Sequence, residues 1–255
     1  MERNFREKTA EVLAESERLS KTLLDSISHE IRTPLAVIQS ATAYMAEFEK
    51  SDFSASQKAM IAEIQEATER LNRLVGKVIE ITRLESGHVK PKFESCEVND
   101  LIQMAEGETR KELAQHKLTI EIAPDLPQVP MDFELMLHSL TNLLSNAAFH
   151  TPAGTEVQLS VKVEAGTLLL IVADRGPGIP PESLPHLFEK FYRAPSARTG
   201  GTGLGLSLVK GFAEAHGGQV TAENRATGGA AFTIRLPLEQ PLSKATAQTR
   251  SLRGS

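Results

Sequence analysis

The sequence predicts an α+β protein of two domains, a long helical hairpin followed by a mixed sheet with helices packed on one face. Three observations carry that expectation. From Phe5 to about Leu84 the chain holds a single glycine, Gly76, and a single proline, Pro34. After Ser86-Gly87 short apolar runs of strand length alternate with helical ones as far as Pro237. Glycines gather where two of these runs meet their loops, at Gly176 and Gly178 and again at Gly200 to Gly205.

Residues 1–19 read as a signalling helix, with Phe5, Val12 and Leu19 seven apart. Residues 20–87 read as the hairpin. Its first helix carries Leu23, Ile27, Ile31, Leu35 and Ile38 on one face. The polar break EKSDFSAS follows, in which Ser54 suits the N-cap of a second helix. That helix carries Ile61, Ile64, Leu71, Leu74, Val78, Ile81 and Leu84 at intervals of three, four or seven. Two helices alone cannot bury both stripes, so a second copy is expected to complete a four-helix bundle. Docking of the hairpin on the rest of the chain is the plainer alternative.

Residues 88–238 read as the second domain. Its strands are LTIEIA, TEVQLSVKVE, GTLLLIVAD, GQVTAENR and AAFTIRLP. Its helices are expected from Asp100 to His116, Asp132 to Phe149 and Leu204 to His216, with a hairpin turn at Glu164-Ala165-Gly166. The polar tail, 239–255, is expected to be flexible.

Composition narrows the function. The net charge is −5 and no basic block stands out, which argues against nucleic-acid binding. A lone cysteine, Cys96, fits a reducing, cytoplasmic setting. The opening MERNFREK does not read as a signal peptide. The uncharged run between Glu134 and Glu156 is too polar for a membrane span, because it contains Asn142, Asn146, Pro152 and Gly154.

Four segments carry chemistry. In SISHEIRTPL, His29 lies off the stripe formed by Ile27 and Ile31, so its imidazole is expected to face solvent as a nucleophile. Glu30 is adjacent, Thr33 lies one turn beyond, and Pro34 removes a helical hydrogen bond. A lone exposed histidine is usually just solvated. In NLLSNAAFHTP, Asn142 and Asn146 share a helix face. Asp174, with Gly176 and Gly178 after it, closes an apolar strand where a carboxylate can accept from an exocyclic amine. Gly201, Gly203 and Gly205 lead into a helix N-terminus, a setting that suits phosphate, although no GK[ST] follows. Between the last two lies a proline- and charge-rich segment with FEKFYR, the composition of a mobile lid.

HEIRTP, NLLSNA, DRGPGI, FEKFYR and GTGLGLSLVK together resemble, in order, the five sequence boxes of the sensor histidine kinases of two-component systems. The resemblance covers about residues 19–238, and around HTP and FYR it is similar to potassium-responsive members. It implies a dimeric phosphoacceptor hairpin and a Bergerat-type ATP-binding α/β sandwich of the GHKL class. By the same resemblance His29 is the phosphoacceptor, Glu30 its base and Thr33 the residue that positions water for dephosphorylation of a partner. Asn146 resembles the Mg2+ ligand, with Asn142 near the phosphates. Asp174, Gly176 and Gly178 resemble the adenine side of the ATP site. Arg193 in the lid and Gly201, Gly203 and Gly205 resemble its phosphate side. The implied partners are a second copy of the chain and the receiver domain of a response regulator, with a sensor upstream in the parent protein. Phe149 and His150 stand where family members commonly carry lysine and tyrosine. The rivals are another ATPase of the same sandwich class and an inactive dimeric scaffold.

Overall fold

A computed structural model describes residues 31, 33–45, 53–86, 89–195 and 201–239. The expectations on residues 1–19, on His29 and Glu30, and on the tail from 240 lie outside the described residues. The chain forms two compact units, which part between Val89 and Lys90.

In the first unit, α1 covers residues 33–45 and α2 runs Ala55–Glu85. Ser54 caps α2 as expected, through a full capping box. Its hydroxyl accepts from the Gln57 amide at 3.3 Å, and the Gln57 side chain accepts from the Ser54 amide at 2.8 Å. Leu35, Thr42, Ile61, Thr68, Ile79 and Ile81 are buried. Thr42 and Thr68 meet the cost of burial by donating to carbonyls one turn back, those of Ile38 and Ile64. Asn72 donates to Gln39 across the two helices at 3.3 Å. Much of the expected stripe is nevertheless open: Ile38, Ile64, Leu71 and Val78 are each more than two-fifths exposed.

The second unit begins with β1, Glu94–Cys96, and α3, Val98–Thr109. Then come β2, Lys117–Ile122, β3, Val129–Met131, and α4, Phe133–His150. β4, Glu156–Glu164, and β5, Thr167–Asp174, form the expected hairpin, with Ala165 and Gly166 both at positive φ in its turn. A two-turn 3-10 helix, Pro181–His186, precedes α5, Gly205–Ala215. β6, Gln219–Asn224, and β7, Ala230–Pro237, close the domain.

The large sheet has the order β2-β4-β5-β7-β6, with β2 parallel to β4 and every other pair antiparallel. Pleating sends Leu159, Leu168, Leu170, Ile234 and Leu236 into a core with Leu140, Leu143 and Leu144 of α4 and Leu208 and Phe212 of α5. Asp132 caps α4 by accepting from the Leu135 amide at 3.2 Å. Its own amide donates to His216 at 2.9 Å, which ties the start of α4 to the end of α5.

Two expectations need correction. α3 stops at Thr109 and residues 110–115 turn instead of continuing the helix to His116. Tight bonds from Ala114 to the Lys111 carbonyl and from His116 to that of Leu113 bring the chain down to β2, at the sheet edge. A small second sheet, β1 against β3, was also not expected.

Candidate nucleotide site

Three chain ends meet at one rim of the second domain: the C-termini of α4 and β5 and the glycine run before α5. β5 delivers Asp174 at its last residue, only 7% exposed. Its Oδ1 accepts from the Gly176 amide at 2.8 Å and from the Ala230 amide at 3.3 Å. Both bonds fall on one oxygen, and Oδ2 accepts none among the described residues. The carboxylate is therefore held firmly with an acceptor to spare.

α4 supplies Asn142, Asn146 and Phe149, which recur at four and three and stay half-buried while Leu143, Leu144, Ala147 and Ala148 fill the core. The Asn142 amide nitrogen donates to the His138 carbonyl at 2.8 Å, leaving its oxygen as the outward-acting end. Just past the helix, buried Thr151 donates to the Ala147 carbonyl, and its methyl lies against Gly176. A side chain at Gly176 would meet that methyl at 2.6 Å.

The glycine run joins the same rim. The ring of Phe149 comes within 4.0 Å of the space a Cβ would take at Gly201. Gly203 has φ +70 and presses on the lid backbone: a Cβ there would lie 2.6 Å from the Phe191 carbonyl carbon. Its carbonyl accepts from the Phe191 amide at 2.9 Å, so glycine run and lid are bonded as well as packed. Phe191 itself sits at φ 61 and is 66% exposed. Gly205 opens α5. Arg193 and Lys190 are exposed in the lid, and Lys210 lies 3.9 Å from Glu214 along α5. Thr33 is exposed on α1 in the other unit.

Sequence reasoning missed four residues that shape this rim. Asn224, ending β6, receives the Ile179 amide on Oδ1 and donates from Nδ2 to the Ile179 carbonyl, both at 2.7 Å. Arg225 donates to the Asp174 main-chain oxygen at 3.0 Å. Gly229 packs against that same carbonyl too closely for any Cβ, and Thr151 backs Gly176. None has a local signal, because each acts on chain far away in sequence.

A buried carboxylate with a spare acceptor beside a glycine-rich helix start is an arrangement for a purine nucleotide. The described residues hold no group of three or more His, Cys, Asp or Glu that could hold a metal ion. No described helix is long and apolar enough to cross a membrane.

Residues 19–87 match the family described as the His Kinase A (phospho-acceptor) domain. Residues 131–240 match the Histidine kinase-, DNA gyrase B-, and HSP90-like ATPase family. A mycobacterial sensor histidine kinase, MprB, is 30% identical in its solved structure, with 99% of it and 58% of this chain aligned at a TM-score of 0.53. The chain belongs to the sensor histidine kinases. The kinase core is also 33% identical to sensor protein KdpD of Clostridium acetobutylicum, over 90% of this chain and 26% of that protein. Full-length ShkA, solved in complex with AMPPNP, shares 27% identity and a TM-score of 0.71 over 86% of this chain and 46% of its own. The chain thus spans less than half the length of the first relatives it matches, 26% of KdpD and 44% of AfsQ2 from Streptomyces coelicolor.

Proposed function

We propose that this kinase core transfers the γ-phosphoryl group of ATP to its own His29, from which an aspartate of a response regulator takes it. The observation that carries the reading is the meeting, at one rim, of the Asp174 carboxylate, the Asn142–Asn146 face and the Gly201–Gly205 backbone. Asp174 Oδ2 accepts from the exocyclic amine of adenine, while Oδ1 stays bonded to the Gly176 and Ala230 amides. Gly176 and Gly178 let the backbone approach the ring. Amides of the glycine run and the start of α5 receive the phosphates.

Asn146 offers a neutral amide oxygen to Mg2+, with Asn142 a turn away near the phosphates. When bound, Mg2+ neutralises charge on the transferring phosphoryl group. A neutral ligand suits this place because a carboxylate would repel the triphosphate. Arg193 adds a cation from the lid. Glu30 takes or holds the proton of His29, whose neutral ring nitrogen attacks in line.

The exposed Ile38, Ile64, Leu71 and Val78 support a homodimer in which a second copy covers the stripe. Thr33 is assigned to holding water when the kinase removes phosphate from its regulator. The setting is the cytoplasmic part of a longer sensor.

Incubation with γ-labelled ATP and Mg2+ tests the reading. Acid-labile label on the chain is expected. Free phosphate without labelled protein would favour an ATPase, and neither product a scaffold.

A further inference from the structure

The loop that leaves Asp174 runs Arg175-Gly176-Pro177-Gly178-Ile179-Pro180-Pro181. Three prolines leave it only four amide donors, so little of its shape can come from bonds within the loop. Of the donors left, the Gly176 amide bonds to Asp174 Oδ1 and the Ile179 amide to Asn224 Oδ1. The Ile179 carbonyl is taken by Asn224 Nδ2. Gly178, at φ +79, passes so near Asn224 that a Cβ there would lie 2.9 Å from its Oδ1. Asn224 also pairs in register with Ala230, the residue whose amide holds Asp174 Oδ1. One side chain on β6 thus grips the far end of the loop, and its strand partner grips the carboxylate.

We infer that Asn224 is a positioning residue for base recognition: by clamping Ile179 it fixes the Gly176–Ile179 floor beside Asp174 and so sets the preference for adenine over a purine without the 6-amino group. The inference rests on the reading of Asp174 as the group that accepts from that amine. Asn224 is exposed and touches no core residue through these bonds, so its loss spares the fold and falls on the loop.

The test is calorimetric binding of ATP and of inosine triphosphate, each with Mg2+, to the full chain and to N224A, N224D and D174N. The parent is expected to prefer ATP, and D174N to lose that preference. N224A, lacking both bonds, should narrow the ATP-to-inosine ratio by roughly five- to tenfold, mostly through weaker ATP binding. N224D keeps the acceptor for the Ile179 amide and loses the donor, so it should fall between parent and N224A; should N224A not fold, N224D alone decides. An N224A ratio equal to the parent's, or equal losses for both nucleotides, overturns the role of Asn224 while D174N still flattens the ratio. If D174N keeps the parent's ratio, the reading of Asp174 fails and the inference falls with it.

Discussion

Replacing Gly203 by alanine should damage nucleotide binding far more than the same change at Gly201, two residues earlier in the same run. At Gly203 a Cβ would meet the carbonyl carbon of Phe191 at 2.6 Å, and its Cα and the Tyr192 oxygen at 2.8 Å. All three are backbone atoms, so no rotamer change relieves the contact. The residue also sits at φ +70, where an alanine costs about 1–2 kcal/mol by itself. Overpacking against fixed neighbours adds about 1–3 kcal/mol. The cheapest escape is to part the glycine run from the lid, which breaks the Phe191 amide bond to the Gly203 carbonyl. If about 2 kcal/mol of the total falls on the bound state, ATP affinity drops by roughly thirtyfold. At Gly201 the nearest atom lies at 4.0 Å, so alanine fits with ordinary contact and should cost less than about threefold. Calorimetric titration of G203A and G201A with ATP reads the contrast, with melting temperatures of the free proteins as the control on folding. Equal affinities for the two variants would refute the lid contact as a determinant of binding.

R193A should weaken ATP binding by more than about tenfold, since Arg193 is proposed to replace the cation missing at Phe149, and adding F149K should recover part of the loss. Parent-like binding by R193A rejects that compensation. His216 is fully buried, with Nδ1 donating to the Phe212 carbonyl at 2.7 Å and Nε2 accepting from Asp132. Burial pushes its imidazole below the usual histidine range, against a smaller upward pull from that carbonyl and from Asp132. Unfolding then takes up a proton, so its contribution to stability is whole above a pH of ~6.5 and is lost as pH falls toward the lowered value. The melting temperature of the parent should fall more steeply between about pH 7 and 5 than that of H216Q, and parallel slopes would exclude the effect. T33A should keep self-labelling while slowing loss of phosphate from the regulator, and unchanged dephosphorylation would remove Thr33 from that role.

Much of the large sheet and of the residues gathered at the candidate rim was legible because the signals are local. Alternation in Val157-Gln158-Leu159-Ser160-Val161 and the apolar run ending at Asp174 mark adjacent strands directly. Ser54 and Gln57 carry their capping box within four residues. The small sheet hides because β1 and β3 have three residues each and Pro130 lies inside one of them, which reads as loop. The early end of α3 hides because RKELAQH has good helix formers, and only the need to reach the sheet edge overrides them. Asn224 and Arg225 were out of reach for another reason: their bonds span 45 and 51 residues of chain. His29 is proposed as the phosphoacceptor from its neighbours in sequence alone, and it lies outside the described residues.

The central claim is that His29 receives the phosphoryl group from ATP held at the Asp174 rim. The measurement that tests it most directly is base-stable, acid-labile label on the parent and on H29Q at saturating γ-labelled ATP, with ATP affinity measured on both. The parent should label, and H29Q should bind ATP like the parent and take no label. Label accumulating on H29Q at the parent's rate would contradict the account.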